Sequence, residues 1–372
     1  MNHIRGMLEK QGKGMYKMKK ILMVCESFGG GVFTYVSQLC NDMADNFDIY
    51  LAYSLRPQTP KNFKKVIDSR VHLIEVKNFN SNVTNIWNDF KTIKELRKIE
   101  NEVKPDIIHL HSSVAGGIGR VAFNGKKNKI LYTPHGYAFV LMKPSIKTVL
   151  YKFMEKVLGK TSKAITLTCC QSEDEVASKL TKRHTYIESG VNLVSLSNAL
   201  SKVKPVKSKK KFIVFSLGRI TGQKQPELFN KIAELVPNIK FLWIGGGEDE
   251  KYLTSSNISV TGWKNRNEAL SLAKSADVYI LCSRGEAIAE SLIENMYMKK
   301  LVLVSNVMGN KSVVKNGING YICNSPQEYA KRIKEAEENF PKKLTENAYS
   351  DVLHIYNTDV MKKKYIKFYS GL

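Results

Sequence analysis

From Lys19 the chain reads "KKILMVCESF", an apolar run halted by three glycines, and "VFTYVSQLCNDMA" then repeats apolar residues at helical spacing. The pattern predicts strand, tight turn, helix. The same rhythm returns in "FDIYLAYSL" and "VHLIEV" as strands, "TNIWNDFKTIKELRKIENEV" as a helix, and "PDIIHLHSS" and "NKILYTPHG" as strands with polar ends. Strands alternating with helices predict a parallel sheet covered on both faces.

Past the Lys-rich, Pro-containing stretch "SKVKPVKSKK" at 201–210 the rhythm restarts with "KFIVFSLGR", "IKFLWIGGG", "ISVTGW", "ADVYILCSRGE" and "KLVLVSNVMG". The expected fold class is α/β: two doubly wound, Rossmann-like domains facing each other across a cleft, with ligands at the carboxyl ends of the strands. A chain of 372 residues has length for two cores. The expected boundaries are 18–200 for the first domain, 201–210 for a linker and 211–351 for the second. Residues 352–372 then form a terminal helix crossing back to the first domain. Residues 1–17, polar, basic and ahead of a second methionine, Met18, are expected to form a flexible extension.

Hydrophobic residues make up 43% and charged residues 25%, an ordinary globular balance. The net charge of +24 favours polyanionic partners: nucleic acid, anionic lipid or nucleotide phosphates. No RNA-recognition, zinc-finger or helix-turn-helix signature supports the first of these. Cys25, Cys40, Cys169, Cys170, Cys282 and Cys323 form no CxxC pair and no export signal precedes them, so a reducing cytoplasm is expected. No apolar run approaches the roughly 18–20 residues of a membrane-spanning helix.

The turn "FGGGVF" follows the first strand and opens a helix, where bare backbone amides can approach a phosphate or serve only as a tight turn. A nicotinamide-dinucleotide fingerprint is disfavoured, because its third glycine would fall on Thr34. In "SLGRITGQKQPELF", Arg219 and Lys224 stand beside a helix start, a fork and a point charge suited to a diphosphate. Glu286 and Glu294 follow the strand "ADVYILCS"; eight helical steps of about 100° would leave them on one side of a helix. A solvated helix face explains that spacing equally well. His135 sits at a strand end beside Gly136, as a ligand contact or a structural histidine. His109 and His111 share one strand face with no third metal ligand near. With no Asp-x-Asp in the chain, a mechanism without metal or cofactor is expected, drawing on Arg, Lys and helix dipoles.

Taken in order, "ESFGGGVFTYV", "KPDIIHLH", "YTPHG", "IESGVN", "LGRITGQK", "LWIGGG", "VTGW", "SRGEAIAESLIEN" and "VMGNKSVVKNGINGYI" resemble the retaining glycosyltransferases of family 4, which have the GT-B fold. The resemblance runs from Met18 to the C-terminus. It implies sugar transfer from a nucleotide diphosphate, uridine diphosphate first, to a glycan or polyprenyl-linked acceptor in bacterial polysaccharide synthesis. By position it implies that Glu286 holds sugar hydroxyls, Glu294 the ribose, and Arg219 and Lys224 the diphosphate. Gly30 and Gly31 would offer amides to phosphate and acceptor, His135 would lie near the anomeric carbon, and the base would lie near Trp263 and Lys264. Glu290 takes no role and is read as structural. Where the family has Gly-Phe-Gly after the first glutamate, this chain has Ala287-Ile288-Ala289; where it has Asn-Gly-Val, this chain has Ser189-Gly190-Val191. A sugar-nucleotide epimerase of the same fold is the alternative enzyme, and a basic nucleic-acid-binding protein the alternative class.

In "KPSIKTVLYKFMEKVLGKTSKAI", Leu150, Phe153, Met154, Val157 and Leu158 share one helical face, and Lys152, Lys156, Lys160 and Lys163 cluster on the other. Such a helix either rests its apolar stripe in the core or lies on an anionic membrane surface. With lipid-linked acceptors common in the family, the expectation is a cytoplasmic protein, peripheral on the inner face of the plasma membrane. Nothing in the sequence sets the oligomeric state.

Overall fold

The computed structural model describes residues 18–79, 86–123, 127–205 and 212–372. The extension expected at 1–17 and residues 206–210 of the expected linker lie outside the described residues.

The first sheet contains β1 (Lys20–Cys25), β2 (Asp48–Tyr53), β3 (His72–Glu75), β4 (Ile107–His111), β5 (Lys129–Thr133), β6 (Ile165–Thr168) and β7 (His184–Tyr186). Their order is 3-2-1-4-5-6-7, parallel throughout. The helices α1 (Gly30–Met43), α2 (Ile86–Val103), α3 (Ser113–Ala122), α4 (Ala138–Leu141), α5 (Ile146–Thr161) and α6 (Gln171–Ala177) accompany them. β1 is the reason both faces are covered: Ile21, Met23 and Cys25 pack on the side of α1, while Leu22 and Val24 pack on the side of α2 and α3. Such a strand reads as a continuous apolar run because alternate side chains enter two different cores.

The second sheet contains β8 (Ile213–Leu217), β9 (Lys240–Ile244), β10 (Ile258–Val260), β11 (Val278–Leu281), β12 (Leu301–Ser305) and β13 (Tyr321–Cys323), ordered 10-9-8-11-12-13 and also parallel. Around it lie α7 (Leu193–Lys202), α8 (Pro226–Glu234), α9 (Arg266–Lys274), α10 (Glu290–Tyr297), α11 (Asn310–Val313), α12 (Pro326–Glu338) and α13 (Lys342–His354). Strand order reverses between β1 and β4 in one sheet and between β8 and β11 in the other. Ligand crevices of doubly wound folds open at the carboxyl ends of such strand pairs.

Val191, Leu196 and Val203 are buried in the second domain's core, so the change of core falls near residue 190, ahead of the Lys-rich stretch. The last helix, α14 (Thr358–Ser370), packs Met361, Tyr365 and Tyr369 into the first domain's core, whereas Val352 and Tyr356 belong to the second. The chain therefore crosses between domains twice, and the crossings lie side by side. Val191 N donates to Tyr356 O and Thr358 N to Val191 O, both at 3.1 Å. Gly190 is required there, since a Cβ would come within 2.3 Å of the Asn357 backbone.

Candidate active site

The turn after β8 carries Arg219 and Lys224 and is fastened to the loop after β11. Arg284 N donates to Gln223 O (2.8 Å), Gln223 Nε2 to Gly285 O (2.9 Å) and Gln225 Nε2 to Cys282 O (2.6 Å). Between the two segments Lys224 Nζ donates to Glu286 Oε1 at 2.6 Å, and Ser283 Oγ donates to the same oxygen at 2.5 Å. These two charged side chains are only 20% and 10% exposed. Arg219 pairs instead with Glu248 at 3.1 Å, with its side chain 52% exposed. An ion pair in that much water holds weakly, so the guanidinium can be re-aimed at small cost.

Glu286 does not lie on a helix, contrary to the reading from spacing. Residues 282–289 are irregular, Ala289 is the N-cap, and α10 begins at Glu290. The cause is tertiary: Gly309, at φ +79°, brings its backbone so close that a Cβ would stand 1.8 Å from Ala287 O. From the other domain Cys170 Sγ reaches the same carbonyl at 3.5 Å. Those contacts hold the peptide in place, and helical geometry starts only beyond it.

Glu294 is on α10 and nearly buried, receiving a 2.5 Å hydrogen bond from Arg266 Nη2 at the start of α9. One turn earlier, Glu290 faces the seam between domains, in a cavity of about 330 Å³ lined by Phe33, Gln38, Asn192, Arg266 and Glu294 among others. Burial, and then the neighbouring Glu294 carboxylate, push Glu290 up to about 7 against the pull of Arg266. Sequence reasoning left Glu290 as structural and did not single out Arg266. The available signal was the i,i+4 spacing of Glu290 and Glu294, which places them on one helix face.

Trp263 stands 68% exposed, its indole beside Gly246 at the end of β9. Lys264 is exposed and lines a separate depression with Lys204 and Leu272, so it does not join the Lys224 and Glu286 pair.

On the first domain Gly30 and Gly31 open α1; both are exposed, with no atom within 4 Å of where a Cβ would stand. Glu26, overlooked in the sequence, directly follows β1 and is buried, accepting from Ser112 Oγ (2.6 Å) and paired with Arg56 (3.2 Å). His135 has a left-handed backbone, φ +54°. Its Nε2 shares a 3.0 Å hydrogen bond with His111 Nδ1, its Nδ1 lies 3.6 Å from Cys169 Sγ, and Tyr35 packs edge-on against its ring. Burial pushes His135 down to about 3, so the imidazole is neutral and both nitrogens are engaged within the protein. The loop is positioned by Glu173, also missed in the sequence, which accepts from Gly136 N (2.6 Å) and Cys169 N (2.9 Å). Burial raises Glu173 to about 7. His109 bonds to Tyr369 OH (2.7 Å) and Thr133 Oγ1 (2.8 Å), an internal role; among the described residues no three His, Cys, Asp or Glu are grouped to hold a metal.

The basic helix keeps most of its apolar stripe out of the core; of that stripe Leu158 alone is half-buried, and Lys163 lies beyond the helix end at Thr161. Leu150, Phe153, Met154 and Val157 are exposed, Phe153 by 64%, as are Lys152, Lys156, Lys160 and Lys163. The helix docks instead through Glu155, which pairs with Arg120 (2.8 Å) and accepts from Tyr132 OH (2.8 Å). No helix among the described residues is long and apolar enough to cross a membrane.

Residues 29–194 match the family model described as Glycosyltransferase Family 4, and residues 198–351 match Glycosyl transferases group 1. An Escherichia coli UDP-Gal:alpha-D-GlcNAc-diphosphoundecaprenol alpha-1,3-galactosyltransferase is 29% identical over 263 residues, 63% of this chain and 66% of that protein, just under two thirds of its length. In structure, sucrose-phosphate synthase from Thermosynechococcus elongatus superimposes with a TM-score of 0.76 at 17% identity, covering 95% of this chain and 98% of that one. Anabaena HepE in complex with UDP and glucose gives 0.72 at 16% identity, covering 95% and 100%. At those identities the structural likeness speaks for the fold alone.

Proposed function

The chain belongs to the family 4 glycosyltransferases of GT-B fold, and from that premise we propose that it transfers a sugar from a nucleotide diphosphate sugar, with retention of configuration and without a metal ion. The proposed donor is a uridine diphosphate sugar. The proposed acceptor is a glycan or polyprenyl-linked sugar in cell-surface polysaccharide synthesis, in keeping with the name of the E. coli relative. The observation that carries the reading is the 2.6 Å contact between Lys224 and Glu286. It sets an ammonium, for a departing diphosphate, against a carboxylate, for sugar hydroxyls, in one shielded spot at the carboxyl ends of β8 and β11.

In this reading the charge that develops on the leaving diphosphate meets Lys224, with Arg219 swinging from Glu248 to join it. Preorganised cations of this kind are the largest contribution such a site can make. Glu294 takes the ribose once Arg266 yields, and the amides of Gly30 and Gly31 face phosphate or acceptor. His135, neutral and with both ring nitrogens on protein partners, lies near the sugar in this reading without acting as its acid or base. Incubation with uridine and guanosine diphosphate sugars, with and without a chelator, tests the reading. A rise in melting temperature and an α-linked product from an α-linked donor, both insensitive to chelator, are expected. Inversion of configuration, or chelator-sensitive transfer, overturns it.

The same reading seats the protein on an anionic membrane surface through α5, whose outward apolar row and flanking lysines form the two halves of an interfacial helix.

A further inference from the structure

Beneath α5 lies a cavity of about 320 Å³, walled by Ile93 of α2, Ile118 of α3, Phe139 of α4, Met142, and Met154 and Leu158 of α5. That volume is at the lower end for small-ligand pockets, roughly 300–1,000 Å³. The buried Arg120 and Glu155 in its wall are already paired. Arg120 donates to Glu155 (2.8 Å) and to Gly116 O (2.7 Å), and Tyr132 donates to Glu155 (2.8 Å). Asp89 adds a carboxylate to the wall, which disfavours an anionic head inside. The cavity suits an uncharged hydrocarbon chain.

Two continuities say which chain. On the outer side Met142 and Met154 are both wall residues and exposed, so the lining runs without a break into the apolar row of Leu150, Phe153 and Val157. On the inner side α4 follows directly on His135 and Gly136. Phe139 faces the cavity, while Val140 O and Leu141 approach the loop after β11, at 3.1 and 3.2 Å from a Cβ built on Gly285. A chain seated here reaches from the exposed helix to the cleft rim.

We propose that this cavity binds the proximal isoprene units of a polyprenyl-diphosphate acceptor, leaving the sugar-bearing head in the cleft. The inference rests on the acceptor reading above and adds a site for the lipid chain.

Gly117 provides the test. It lines the cavity in α3, and a Cβ there meets nothing within 4 Å, so Gly117→Phe or the smaller Gly117→Leu starts its side chain from open space on the cavity wall. The full chain is photolabelled with a benzophenone-bearing farnesyl diphosphate, and labelled peptides are mapped. Labels on α2 to α5 are expected, reduced about tenfold or more in whichever variant keeps the wild-type melting temperature, the loss of roughly two buried methylenes. Labelling unchanged in that variant, or confined to the outer face of α5, overturns the proposal. So does displacement by anionic phospholipid as effective as by unlabelled farnesyl diphosphate, which would mark a membrane-lipid site. Sugar transfer to a water-soluble acceptor, followed in parallel, separates the two readings. Its absence with cavity labelling intact sinks the enzymatic reading, and its presence with an unlabelled cavity sinks the chain site alone.

Discussion

Lys224 and Glu286, 62 residues apart in sequence, share a 2.6 Å hydrogen bond inside the cleft. With the lysine gone, the nearly buried carboxylate loses its charged partner, and the proposed diphosphate loses its cation. Lys224→Ala is expected to lower turnover about a hundredfold and stability by about 1–3 kcal/mol. Arg219→Ala is expected to lower turnover on the same scale with a melting temperature close to wild type, because its pair with Glu248 lies in solvent. Near-normal turnover in both folded variants would remove these residues from the chemistry.

The Arg120 and Glu155 side chains are 2% and 10% exposed and tie α5 to α3. Arg120→Ala strands a buried carboxylate and should cost about 3–5 kcal/mol in urea unfolding. The double change Arg120→Met with Glu155→Leu should recover part of that loss, less about 1–3 kcal/mol for the buried Tyr132 hydroxyl left without its acceptor. A double variant as unstable as the single one would show that packing, rather than charge, dominates.

Because Leu150 and Phe153 already face solvent, Leu150→Asp and Phe153→Asp should leave the unfolding midpoint nearly unchanged while weakening vesicle binding. Replacing Lys152, Lys156, Lys160 and Lys163 by Gln should cost about 1 kcal/mol each near an anionic surface, and that part of the binding should fade with salt. Co-sedimentation with anionic and neutral vesicles reads both effects. Binding indifferent to all six substitutions would place the contact elsewhere.

Glu290 titrates near 7 in the fold against an ordinary 4.5. A folded value above the unfolded one means the native state holds the proton longer. The contribution is therefore complete below about pH 4.5 and is lost as pH rises through 7. Glu290→Gln should flatten the fall in stability across that window by about one proton, leaving the share of Glu173, which titrates there too. Denaturation at pH 5 and pH 8 measures it, and an unchanged slope would refute the assignment.

Local periodicity was enough for the two parallel sheets, because a strand buried on both faces must be apolar at every position and a covering helix must repeat its apolar residues every three or four. The ends of those strands, and so the neighbourhoods of Gly30, His135, Arg219 and Glu286, were legible for the same reason. What no periodicity carries is which partner a side chain meets. Lys224, rather than Arg219, reaches Glu286 because the turn after β8 is fastened to the loop after β11 by Gln223 and Gln225. Glu286 leaves the helix because Gly309 and Cys170, both distant in sequence, hold the peptide at Ala287. The outward stripe of α5 follows from one buried glutamate meeting Arg120. An amphipathic sequence states only that two faces differ, and the ion pair beneath the helix turns a third, through Glu155, toward the protein and leaves both the apolar row and the lysines in water.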